Sequence, residues 1–180
     1  MQATSGKWAS RFIWAAVIQG LLAVVATVLV VEPLSNFNIN WYYGPSRVIA
    51  GGGGGTWLFV GYISYLVVGV VATAVTAIFY FYIEGVQGKV YKGFSNLLAW
   101  GHLLLMNVGV AASMFLMMYG GYLAGYAAAP AAGGGLGYDT GQIHVQILSP
   151  LVQPIGLFIL VGALGAVLGG LGFIVRSRGK

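Results

Sequence analysis

The chain offers little to do chemistry with: two histidines, three carboxylates and no cysteine in 180 residues. One histidine, His102, stands inside the apolar stretch 94–129, which stops at Pro130. Met106, Asn107, Met114, Met117 and Met118 share that stretch. At 100° per residue, His102, Met106, Gly109, Ser113, Met117 and Gly120 fall on one helical face. His102 and Met106, four residues apart, are the candidate cofactor-binding pair, placed to contact one metal ion, one haem b edge or a quinone. The same spacing also suits a histidine bonded to a neighbouring helix, with methionine as adaptable packing. Asn107 lies on an adjoining face and needs a hydrogen-bond partner in lipid, where no water supplies one.

The remaining polar residues narrow the chemistry further. A bis-histidine haem would need His102 and His144 at one depth. His102 falls about eight residues into its helix from one membrane face, and His144 precedes the last helix on the other. At about 1.5 Å per residue those depths differ by roughly 20 Å. Asp139, Gln142, His144 and Gln146 form an external polar group, read either as a weak metal or proton-entry site or as hydrogen-bonded surface. Glu32 and Glu84 sit at helix ends, so no carboxylate is placed for an intramembrane proton or sodium relay. No phosphate loop, nucleophile elbow, HExxH or carboxylate pair is present. Without cysteine there is no disulfide, iron–sulfur or thiolate site. Catalytic residues and a protein-only metal site are therefore not expected.

These residues must be positioned by membrane helices. The chain is 59% hydrophobic and 6% charged, with a mean hydropathy of +0.89; soluble domains are about 25% charged. Runs of about 18 or more apolar residues suit a membrane span, and four occur, predicting helices at about 8–31, 56–83, 94–129 and 148–175 in one membrane domain over 1–180. The first run lacks a signal-peptidase pattern and reads as a retained helix. Glu32-Pro33 should end it. Trp41, Tyr42 and Tyr43 read as interfacial anchors. Gly51–Gly55 reads as a hinge or a place of close backbone approach, and Pro154 should kink or restart the last helix.

Lys7, Arg11, Lys89, Lys92, Arg176, Arg178 and Lys180 flank one set of helix ends, and Arg47 alone lies on the other. That bias predicts both termini and the loop around Lys89 in the cytoplasm, with two glycine-rich loops outside. The fold expected is thus all-α: an integral four-transmembrane-helix bundle of the cell membrane, N-in and C-in. The basic pI near 9.6 then reflects orientation and contact with anionic lipid, with no nucleic-acid partner. Gly109, Ser113 and Gly120, with Gly162, Gly165 and Gly169, are expected helix-packing positions, because small residues let helices approach in lipid. So many small residues also point to larger membrane subunits as partners. The two halves share a helix, glycine-rich loop, helix plan, which a tandem duplication would explain.

The run Trp100-Gly101-His102-Leu103-Leu104-Leu105-Met106-Asn107-Val108-Gly109 resembles histidine-bearing helices in subunit I of the haem–copper oxidase superfamily. The whole chain is similar in style to small four-helix proteins of archaeal respiratory systems. Two histidines cannot supply the haems and copper centre of subunit I, so the resemblance implies an accessory subunit. The expected function is a non-catalytic integral subunit of a prokaryotic respiratory complex, most simply a terminal oxidase. The alternatives are a small cytochrome b or quinone-binding electron carrier using His102, an accessory subunit of a membrane metal oxygenase, or a channel. The scarcity of carboxylates also suits an external face that meets acid.

Overall fold

A computed structural model of the chain describes residues 6–31, 44–133 and 135–178. The expected helix stop at Glu32-Pro33, the anchors Trp41, Tyr42 and Tyr43, and Lys180 lie outside these residues, as does the Arg47 side chain. The described residues are helical, with no strand. Four helices are long and apolar enough to cross a membrane: α1 (Lys7–Val31), α3 (Gly55–Val86), α4 (Phe94–Ala128) and α5 (Thr140–Arg178). A short α2 (Pro45–Ala50) precedes α3, in a segment whose polar and glycine-rich surroundings predict loop. Proline at its first position starts it, where a missing N–H is harmless.

The last helix begins eight residues earlier than expected. Asp139 accepts a hydrogen bond from Gln142 N at 2.8 Å, and Gln142 Oε1 accepts one from Asp139 N at 3.0 Å. This reciprocal cap starts α5 at Thr140, so His144 belongs to the helix and not to the preceding loop. Pro154 lies inside the continuous segment Ser149–Arg178 without ending it. Wider π-helical turns interrupt α3 at Tyr65–Val71 and at its end (Tyr82–Val86), α4 at His102–Met106 and α5 at His144–Leu148.

The chain divides into two compact units. The first comprises Met1–Leu21, Leu66–Ala111 and Phe158–Lys180. Its core is aromatic: Trp8, Phe12, Tyr80, Ile83 and Tyr91 bury together with Ala9, Ala77 and Ala99. Phe12 stacks on Tyr80 at 4.7 Å, and Tyr80 meets Tyr91 at 5.0 Å. Burial first, and then neighbouring Glu84, push the Tyr91 phenol up to about 12, against the opposing pull of Arg176.

Charges close the ends of this unit. The Glu84 carboxylate accepts from Trp8 N at 2.8 Å and Ala9 N at 3.1 Å. It therefore replaces a capping side chain at the α1 N-terminus, where a negative charge also meets the positive end of the helix dipole. Lys89 Nζ donates to Ser177 O at 2.6 Å in the last turn of α5, the matching arrangement at a negative end. Arg11 lies over the rings of Trp8 and Trp100 at 4.3 and 4.4 Å, close enough for cation–π attraction.

The second unit comprises Leu22–Tyr65 and Ala112–Leu157. Gly52 and Gly53 take φ of +67° and +56°, a left-handed turn that side chains rarely adopt. The next two glycines admit close packing: a Cβ on Gly54 would strike Ala124, and one on Gly55 would strike the Val48 carbonyl. Thr27 Oγ1 bonds the Tyr62 hydroxyl at 2.8 Å, tying α1 to α3.

Glu84→Ala should lower unfolding free energy by about 0.5–2 kcal/mol, read as a lower melting temperature of the purified protein. Glu84→Gln retains an acceptor and should lose less than half as much. An equal loss in both would show that charge, and not hydrogen-bond acceptance, holds the cap.

Candidate functional site

In the first unit, the π-turn His102–Met106 carries both members of the candidate pair. Residues four apart share one face of a helix. His102 Nε2 consequently faces Met106 Sδ at 3.1 Å. The other ring nitrogen, Nδ1, lies 3.2 Å from the Tyr80 hydroxyl on α3. A thioether only accepts, so Nε2 carries the proton of that bond, while Nδ1 shares the other with the Tyr80 hydroxyl. Both ring nitrogens are engaged. His102 and Met106 are each 7% exposed.

The walls of the site are as close as its bonds. Phe12 lies 4.9 Å from the imidazole, ring centre to ring centre, and Tyr80 lies 5.9 Å from it. Across from them is α5: a Cβ on Gly169 would fall on the imidazole itself, and one on Gly165 on the Met106 backbone. One turn on, a Cβ on Gly109 would meet Gly162 N and the Phe158 carbonyl. Helix α5 thus lies against α4 with backbone where side chains would stand. A porphyrin does not fit, because both donors that would hold its iron face one another and the ring is walled by Phe12, Tyr80 and Gly169.

Directly beside the pair, the π-turn is stitched by Asn107. Its backbone N–H goes to Leu104 O, and its side-chain Nδ2 donates to Leu103 O at 2.8 Å. Asn107 Oδ1 in turn accepts from Gln19 Nε2 on α1 at 3.0 Å and from Thr73 Oγ1 on α3 at 3.3 Å. The partner that the sequence required for Asn107 is therefore a pair of side chains on two helices.

The predicted site residues divide between the units. His102, Met106, Gly109, Gly162, Gly165 and Gly169 come together in the first, and all six are buried. Ser113 and Gly120 belong to the second, also buried, with Ser113 fully so. There Gly120 faces Leu151 and Trp57, while a Cβ on Gly121 would strike the Leu58 backbone. His144 is exposed, and Asp139 is occupied as a cap. No three of His, Asp and Glu assemble into a metal-sized group among the described residues. Sequence reasoning missed Tyr80, Gln19 and Thr73. Gln19 is the sole amide in α1, and a polar residue inside a membrane span was the available signal. Tyr80 lies among other aromatics, which hides it.

Comparison with family models, with curated proteins and with solved structures finds no match to this chain.

Gly169→Ala and Gly170→Ala make a matched pair, since nothing lies within 4 Å of a Cβ on Gly170. Gly169→Ala should destabilise by about 1–3 kcal/mol through overpacking on His102. Gly170→Ala should be neutral or stabilising by up to about 1 kcal/mol from helix propensity. Thermal unfolding of the two purified variants gives the comparison.

Proposed function

We propose that this protein is a non-catalytic integral subunit of a larger membrane complex. The observation that carries the reading is the distribution of glycines. Gly109, Gly165 and Gly169 of the first unit are used up by internal contact, whereas a methyl group added to Gly20, Gly156 or Gly170 would meet nothing within 4 Å. These three lie on helices whose most apolar windows are only 17% (α1) and 22% (α5) buried, against 33% for α3 and α4. In lipid, open small residues on an apolar helix favour the close approach of another helix. The self-satisfied His102–Met106–Tyr80 group supports the same reading over that of a haem-based electron carrier.

The complex is a respiratory one in this proposal, and a terminal oxidase in particular, on the strength of the Trp100–Gly109 resemblance alone. Mild-detergent purification from native membranes should return the chain with larger membrane subunits carrying oxidase activity. Recovery as a stable solitary monomer overturns the subunit reading; recovery with subunits of other activity overturns only the oxidase assignment.

Orientation is part of the proposal. Six described cations, Lys7, Arg11, Lys89, Lys92, Arg176 and Arg178, belong to the first unit, whose single carboxylate side chain is Glu84. Their excess favours a cytoplasmic position for that unit's helix ends, beside anionic lipid. The chain lacks cysteine, so introduced ones report cleanly. In intact cells an impermeant maleimide should label Leu136→Cys and spare Val90→Cys; the reverse pattern would invert the topology.

A further inference from the structure

We propose that Arg11, held in a corner between Trp8 and Trp100, binds the phosphate of an anionic phospholipid. The site stands on the geometry of α1 and α4 alone. Only its placement in the cytoplasmic leaflet rests on the orientation proposed above, which the maleimide pattern decides separately.

Both helices build the corner. The Trp8 and Trp100 rings meet edge to face, 5.1 Å apart and at 83°. The Arg11 guanidinium lies over both, at 4.3 and 4.4 Å. Trp8 is fixed by burial and by its Nε1 bond to Asn96 Oδ1 at 3.2 Å. Indole faces attract a cation, but an indole offers no acceptor lone pair to its N–H groups.

The guanidinium lacks an acceptor as a result. Arg11 Nη1 is buried and has no hydrogen-bond partner among the described residues, which is costly for a charged donor. The unit's single carboxylate side chain, Glu84, is spent on Trp8 N and Ala9 N. Lys7 is exposed four residues before Arg11, on the same face of α1, where two like charges repel. An anion beside them relieves both the missing acceptor and the repulsion.

The surroundings select the anion. Nη1 is the one guanidinium nitrogen both buried and unpartnered, while Arg11 is only half-buried and Trp100 is 38% exposed. The corner is therefore closed on one side and open at its rim. Beside that rim, Trp14 on α1 and Leu97 and Leu104 on α4 are exposed, an apolar surface that a free anion leaves bare. A phospholipid brings a phosphate to the guanidinium and an acyl chain to these side chains. A planar guanidinium suits paired phosphate oxygens, and two rings already hold this one in place, which lowers the ordering cost of binding. A zwitterionic headgroup adds an ammonium that Lys7 and Arg11 repel, so an acidic headgroup is preferred.

The test is native mass spectrometry of the full-length protein released from nanodiscs of equal phosphatidylglycerol and phosphatidylcholine. Phosphatidylglycerol should stay bound in preference, and Arg11→Gln should lower its retention about tenfold. Arg178→Gln removes an exposed charge from α5 and should retain lipid as the unchanged protein does. Melting temperatures check that both variants fold. A further comparison needs no variant: inorganic phosphate in large excess should leave the bound phosphatidylglycerol in place. Equal retention of the two lipids by the unchanged protein, or equal losses in the two variants, would reduce the effect to unspecific charge and overturn the site. Displacement by inorganic phosphate would overturn the lipid assignment in favour of a free anion. Failure of the subunit or topology reading would leave each of these outcomes as it is.

Discussion

The Asn107 carboxamide accepts hydrogen bonds from Gln19 on α1 and Thr73 on α3, and donates one to Leu103 O on its own helix. Gln19 and Thr73 are buried, where a polar group left without a partner is costly, so these three groups hold their helices in one register. A slip of one residue would strand an amide where it has no alternative. The π-turn depends on the same residue, because the Asn107 side chain takes up the Leu103 carbonyl while its backbone N–H goes to Leu104. His102 and Met106 lie in that same turn, four residues apart on one face. The structural amide and the candidate pair are thus neighbours in one turn of α4.

Close backbone approach is the complementary constraint. Gly109, Gly165 and Gly169 are positions where even a methyl group would collide with the neighbouring helix. Dispersion between apolar helices in lipid is effective only at such short range. The imidazole of His102 fills the volume that Gly169 leaves, so packing and chemistry are inseparable there. This closeness leaves no space for a large planar cofactor beside the ring.

The spans of α1, α3 and α4 were legible because hydropathy and length suffice to recognise them. The start of α5 was not. Gln142 looks like surface in the sequence, although with Asp139 it makes a capping box three residues apart, and the apolar run that dominates the signal begins later. Asn107's need for partners was legible, but their identity was not, since Gln19 and Thr73 lie 88 and 34 residues away. Tyr80 gave no signal at all. One tyrosine among several aromatics in α3 becomes distinct only when its hydroxyl meets His102.

By itself the sequence determined that the described chain is helical, that four helices can cross a membrane, and that its chemistry is confined to very few side chains. Composition and period decide such matters, because transfer into lipid depends on summed apolar length. Tertiary structure decided what those few side chains do. It put a tyrosine behind His102, a glycine backbone against it, and two partners on Asn107, through contacts between residues far apart in the chain. Their hydrogen-bonding geometry follows from helix registry, which no local pattern encodes.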